Sequence, residues 1–215
     1  MNTDQESIAD AFHKMYFYSQ VWQSTKWMGT LVQKCPLDLW VYQEIMAEVK
    51  PDLIVEAGTK FGGSALFLAS MCEFMGQGEV ITVDIDGSPQ RPSHRRLTYL
   101  QGSSTDPGII AKIETVRGYR RDCRTMVILD SDHSKDHVLR ELQMYAPMVS
   151  LGSYMIVEDG NLHGHPVMPE FGPGPAEAVV EFTSKTKAFQ IDRSREKFFM
   201  TFNPGGYLKR VAQGA

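Results

Sequence analysis

Hydrophobic and polar positions along the chain fall into two textures. Up to about residue 50 the sequence reads as helical and is dense in aromatics, among them Phe12, Tyr16, Phe17, Tyr18, Trp22, Trp27, Trp40 and Tyr42. After Pro51, short apolar runs ending in Gly or Asp alternate with longer helical stretches. The pattern predicts strands over 52–57, 79–85, 97–101, 125–130 and 153–157, and helices over 63–75, 107–116, 135–145 and 176–185. A late pair, 189–192 and 198–202, is expected to end the sheet as an antiparallel edge. Strands rich in Val, Ile and Leu, separated by helices, give an α/β class with a mostly parallel sheet and helices on both faces. The expected division is an N-terminal helical cap, 1–50, and one α/β domain, 51–215. Ligands in such sheets sit beyond the carboxyl ends of the strands, near the switch in strand order, so the residues just after each strand are the candidates.

Composition narrows the partners. The 215 residues suffice for one domain and an appendage, and 42% hydrophobic with 22% charged residues is ordinary for a globular protein. With 22 Lys plus Arg against 26 Asp plus Glu, the net charge of -4 argues against a global grip on nucleic acid or anionic membrane. No apolar run reaches membrane-spanning length, and the polar, acidic stretch Met1–Glu6 does not read as a signal peptide. Cys35, Cys72 and Cys123 are far apart and lack C-x-x-C spacing, which points to buried thiols in a reducing, cytoplasmic setting. The N-terminal aromatics are expected to pack on the core or on a second copy rather than form a sugar platform, hence a homo-oligomer.

The first α/β strand runs into Glu56-Ala57-Gly58-Thr59-Lys60-Phe61-Gly62-Gly63-Ser64. Gly58 permits a tight turn, and Gly62-Gly63 permit close backbone approach where a helix starts. Helix N-terminal amides there favour a carboxylate or phosphate. The turn has neither G-x-G-x-x-G nor P-loop spacing, which disfavours a dinucleotide dehydrogenase. The second strand ends Val83-Asp84-Ile85-Asp86, and a carboxylate there can accept from both hydroxyls of a ribose.

The acid of strand one, the glycine turn and the acid ending strand two together resemble the Rossmann-like class of S-adenosylmethionine-dependent methyltransferases. The resemblance implies that Glu56 and Gly58 line the methionine and sulfonium end, with Ser64 near the carboxylate and Thr59 and Gly62 also binding the cofactor. It also implies that Asp84 holds the ribose, Ile85 flanks the adenine, and Ser103 and Ser104 meet the adenine edge. Lys60 stands where related enzymes often carry an aromatic residue.

Strand four ends Asp130-Ser131-Asp132-His133-Ser134-Lys135 and strand five ends Glu158-Asp159-Gly160. If those strands are neighbours, Asp132, Glu158 and Asp159 converge, and crowded carboxylates call for a hard divalent cation. Magnesium is expected, with calcium or manganese as alternatives; the bland alternative is solvated loop acids with a helix cap. Zinc is disfavoured, because His133 and His137 at i and i+4 lack H-E-x-x-H and a third ligand.

Asp132-His133-Ser134-Lys135 and the following acidic pair resemble metal-dependent catechol-type O-methyltransferases. These segments, with 51–56, Phe171-Gly172-Pro173-Gly174-Pro175 and Arg193-Ser194-Arg195-Glu196-Lys197-Phe198, resemble the cephalosporin hydroxylase-related family, which includes rhamnosyl O-methyltransferases. The resemblance implies a Mg-dependent O-methyltransferase acting on a hydroxyl of a small molecule, a sugar or natural product. Asp132, Glu158 and Asp159 are then metal ligands, Lys135 the general base with Asp132 beside it, and Asp132 and His133 also near the cofactor. Competing readings are an oxygenase, as the family name suggests, and a non-catalytic S-adenosylmethionine-binding protein. The 160–175 loop is expected to be a lid or substrate wall, with His163 or His165 on the acceptor, or else a rigid connection.

Overall fold

The computed structural model describes residues 3–87, 90–118 and 122–213; Met1 and Asn2 of the polar N-terminal stretch lie outside them. In chain order the elements are α1 (Thr3–Tyr18), a 3₁₀ turn at Val21–Ser24, a hairpin of β1 (Lys26–Trp27) and β2 (Thr30–Leu31), and α2 (Pro36–Val49). Then follow β3 (Leu53–Ala57), α3 (Gly63–Phe74), β4 (Glu79–Asp84), β5 (Leu97–Gln101), α4 (Pro107–Gly118), β6 (Thr125–Leu129) and α5 (Lys135–Tyr145). The chain continues with β7 (Tyr154–Val157), α6 (Pro175–Lys185), β8 (Phe189–Ile191) and β9 (Tyr207–Arg210).

Seven strands form one sheet in the order β5-β4-β3-β6-β7-β9-β8. The first five are parallel, and β9 runs antiparallel to both β7 and β8. Every residue of β3, β6 and β7 is buried, because helices cover both faces of the central strands. Side chains alternate accordingly. Leu53, Val55 and Ala57 join Val127, Leu142 and Phe182 on one face, while Ile54 joins Ile128, Tyr42, Ile45 and Leu68 on the other. Order reverses between β3 and β6, which puts the switch point at Gly58 and Asp130.

Two expectations fail. The edge partner of β8 is Tyr207–Arg210, not 198–202. The apolar character of 198–202 is used elsewhere: the Phe202 ring packs against His13, Tyr16, Phe17 and Trp22. The buried Asp38 carboxylate takes the Phe202 amide at 2.9 Å and the Thr201 hydroxyl at 2.5 Å, holding that stretch out of any ladder. Nor is the N-terminal region helical throughout. Gln20, Met28 and Gln33 take positive φ, and Met28-Gly29, both at positive φ, make the two-residue turn of the β1–β2 hairpin.

Candidate active site

The parallel ladder continues one residue past several strands. Gly58 donates to Val83 O at 2.8 Å, Asp130 to Ala57 O at 2.8 Å, and Glu158 to Leu129 O at 3.0 Å. Those bonds bring the glycine turn and the strand-end acids of β4, β6 and β7 to one rim. A cavity of about 440 Å³ opens there, within the range of small-molecule clefts, roughly 300–1,000 Å³.

Its first wall is the turn after β3. A Cβ on Gly58, at φ +94°, would lie 1.8 Å from Asp130 O, so only glycine lets the turn pass this close to the end of β6. Asp84 closes the turn from the side: its Oδ2 accepts from the backbone N–H of Thr59 at 2.9 Å and Lys60 at 2.7 Å. Arg91 lies 3.3 Å from the same oxygen. Burial would raise the Asp84 pKa, but the amides of Asp86, Lys60 and Thr59 hold it below the usual carboxylate value. Beneath the turn, Glu56 is wholly buried and accepts from Ser64 Oγ at 2.6 Å and Thr82 Oγ1 at 2.7 Å.

The far wall follows β5, β6 and α5. Ser104 Oγ and Ser131 Oγ each lie 3.1 Å from His137 Nε2, and Ser131 donates to the buried Glu141 at 2.6 Å. Asp132 is exposed and accepts from the Ser134 amide at 2.7 Å, and the Ser134 hydroxyl together with that amide keeps its pKa low. At the corner between β6 and β7, Asp130, His133 and Asp159 present ligand atoms within 4.8 Å of one another. His133 Nε2 is 3.1 Å from Asp159 Oδ2. Burial pushes the Asp159 carboxyl up, against the pull of His133. Asp159 also has φ +56°, a conformation that a non-glycine residue adopts at a cost of about 1–3 kcal/mol and that is often met at functional sites.

Among the sequence candidates, Gly58, Thr59, Ser64, Asp84, Ile85, Ser103, Ser104, Asp132, His133 and Asp159 line this one cavity. Glu56 and Gly62 do not: Glu56 lies below the floor, satisfied by Ser64 and Thr82, and Gly62 caps α3. Of the three acids expected to converge, only Asp159 joins the cluster. Asp130 takes the place expected for Asp132, because Asp130 sits at the ladder's end and Asp132 turns back to its own loop. Glu158 is buried, ion-paired with Lys34 and bonded by Tyr42 Oη at 2.7 Å. Lys135 pairs with Glu181 of α6 at 2.8 Å, which raises its pKa, and it does not line the cavity. His163 and His165 stand apart from the cavity as well, and His165 pairs with Glu177 at 2.8 Å. Trp22, Val32 and Gln33 form a wall with no local motif to announce it.

The Asp130 and Asp159 carboxylates offer oxygen ligands that suit a hard divalent cation, and one histidine beside two carboxylates does not match the two-histidine, one-carboxylate set of an iron oxygenase. Among the described residues no helix is long and apolar enough to cross a membrane.

The family described as Rhamnosyl O-methyltransferase/CmcI matches residues 19–211. The rhamnosyl O-methyltransferase of Mycobacterium tuberculosis (strain ATCC 25618 / H37Rv) is 40% identical over 211 residues, covering 95% of this chain and 86% of its own. That of Mycobacterium leprae (strain TN) is 40% identical over 210 residues, covering 95% and 91%. A CmcI structure with Mg and SAM superposes at TM-score 0.64 with 22% identity, covering 88% of this chain and 78% of that one. An apo structure of CmcI gives 0.66 with 24% identity, over 88% and 77%. The structural likenesses establish the shared fold.

Proposed function

We propose, for a chain that belongs to the rhamnosyl O-methyltransferase/CmcI family and is an S-adenosylmethionine-dependent O-methyltransferase of small-molecule hydroxyls, that the acceptor is activated at Asp130, His133 and Asp159. The acceptor class that the name of the mycobacterial relatives favours is a hydroxyl of a rhamnosyl group. The observation that carries this reading is the shared position: the acid–imidazole cluster lines the same cavity as Asp84 and the glycine turn.

S-adenosylmethionine supplies, when bound, a methyl group on a sulfonium centre. The turn at Gly58 and the N-terminus of α3 receive its amino-acid end, and Asp84 its ribose. Asp130 and Asp159 would hold a magnesium ion, whose positive charge would favour an ionised acceptor oxygen. His133 takes the hydroxyl proton. With Nε2–H held by Asp159, Nδ1 is the nitrogen left to accept, and Asp159 then stabilises the imidazolium. Walls on three sides fix acceptor and cofactor relative to one another, and such alignment contributes much of the rate.

The buried, unpaired Cys35, Cys72 and Cys123 support a reducing, cytoplasmic setting. Exposed Ile8, Phe12, Met15 and Phe199 support self-association through α1.

Calorimetry with S-adenosylmethionine, with and without Mg²⁺, followed by mass spectrometry of rhamnoside acceptors, tests the reading. Cofactor binding and a methylated rhamnoside only with Mg²⁺ are expected. No binding at millimolar cofactor would overturn it.

A further inference from the structure

Lys34 has no part in the activity as described so far. Its side chain is only 3% exposed, and its ammonium lies 2.5 Å from Asp130 Oδ2 while forming a second ion pair with Glu158 Oε1. That Glu158 oxygen also accepts from Tyr42 Oη, which in turn accepts from Asn203 Nδ2 at 2.9 Å. The lysine therefore reaches the acid cluster from behind, while His133 and Asp159 face the cavity.

Its placement is built from both sides. Before it, the β1–β2 hairpin is fixed on α3: Trp27 packs edge-on against Phe67 and donates to Ser70 Oγ at 3.2 Å. The Leu31 carbonyl packs so closely on Gly63 that a Cβ there would lie 2.1 Å from it. After it, the fully buried Cys35 leads into α2. Between these anchors, Val32 and Gln33 line the cavity.

We propose that Lys34 is a resident cation of the acid cluster, a positioning residue that ties Asp130 and Glu158 and competes with the divalent ion for Asp130. The inference rests on the divalent-cation reading above. Glu56, Asp130, Glu158 and Asp159 gather at neighbouring strand ends, and a buried acid without a partner is strongly disfavoured. One ammonium at bonding distance lets the cluster fold without metal. It also repels any second cation brought to the same carboxylate, so the ion binds more weakly than the acids alone would hold it.

Calorimetric titration of Mg²⁺ into the cofactor-free protein, with thermal melts in chelator and in Mg²⁺, tests this on wild type, Lys34→Met, Lys34→Gln and Lys34→Arg. Lys34→Met is expected to bind Mg²⁺ at least about tenfold more tightly than wild type, since a unit charge at its ligand is gone. It should melt lower in chelator and recover more on Mg²⁺ addition, while Lys34→Arg stays near wild type. Should Lys34→Met not fold in chelator, folding on Mg²⁺ addition supports the proposal and no folding counts against it. Binding to wild type with equal or weaker binding to both Lys34→Met and Lys34→Gln would overturn this inference alone. Absence of Mg²⁺ binding in every protein would remove the divalent reading and this inference with it.

Discussion

His133 Nε2 lies 3.1 Å from Asp159 Oδ2, at the corner of the cavity where β6 and β7 end side by side. The pairing orients the ring, and the proposed reading makes its Nδ1 the base. His133→Gln keeps a polar side chain and removes that base, so kcat should fall by about 10²–10³. Affinity for S-adenosylhomocysteine should change by less than about threefold, since a group acting only on the acceptor leaves cofactor binding in place. Equal loss of cofactor affinity would show that His133 serves the cofactor instead.

Lys135 supplies the contrast. It stands two residues along the same motif, yet its ammonium pairs with Glu181 at 2.8 Å and that pair raises its pKa, the opposite of what a base needs. Lys135→Met should retain near wild-type kcat with no shift in the pH–rate profile. A large loss of kcat with unaltered melting would restore the lysine as the base.

Asp84 lines the cavity beside the glycine turn, accepting from the Thr59 and Lys60 amides at 2.9 Å and 2.7 Å, and is proposed to hold the cofactor's ribose. Asp84→Asn keeps the shape but turns one acceptor into a donor and discards the charge. Binding of S-adenosylhomocysteine should weaken roughly tenfold to a hundredfold, the worth of hydrogen bonds to a charged group. Calorimetry reads this directly, and unchanged affinity would remove Asp84 from the cofactor site.

Two glycines at positive φ separate strain from space. A Cβ at Gly58 meets Asp130 O at 1.8 Å, whereas Gly76, at φ +71°, has nothing within 4 Å. Gly76→Ala should cost only the backbone term, about 1–2 kcal/mol. Gly58→Ala adds overpacking against β6 and should cost about 3 kcal/mol or more, with loss of cofactor binding. Denaturant melts of the two variants check the difference.

The legible part of this molecule is the part whose signal is local. β3, β6 and β7 are buried on both faces, so each prints a continuous apolar run. The glycine turn and the strand-end acids follow from the same local grammar. β9 was hidden because Tyr207-Leu208-Lys209-Arg210 mixes apolar and basic residues, while 198–202 carries the stronger apolar signal and spends it on the aromatic cluster. Asp130 and Asp132 are two residues apart in one motif and both line the cavity, and only the ladder bond from Asp130 to Ala57 tells which meets His133 and Asp159. Lys34 meets Asp130 across 96 residues, a pairing set by how the hairpin docks on α3 and invisible to any window.

Two buried groups flanking Phe202 give opposite pH dependences of stability. Burial lowers His13 to about 4, with Asn161 Nδ2 3.0 Å from its ring nitrogen, while burial raises Asp38 to about 6 against its bonds from Thr201, Phe202 and Tyr207. Between pH 4 and 6.5 the unfolded chain holds the His13 proton and the folded one does not, so His13 makes stability rise with pH. Between pH 4 and 6 the folded chain holds the Asp38 proton and the unfolded one does not, so Asp38 makes stability fall. At about 1.4 kcal/mol per pKa unit, each contributes about 3 kcal/mol at most across its window. Relative to wild type, Asp38→Asn should therefore gain stability as pH rises from 4 to 6, and His13→Gln should lose it. Urea melts at a series of pH values measure both differences, and parallel curves for wild type and either variant would show that the group does not titrate in that window.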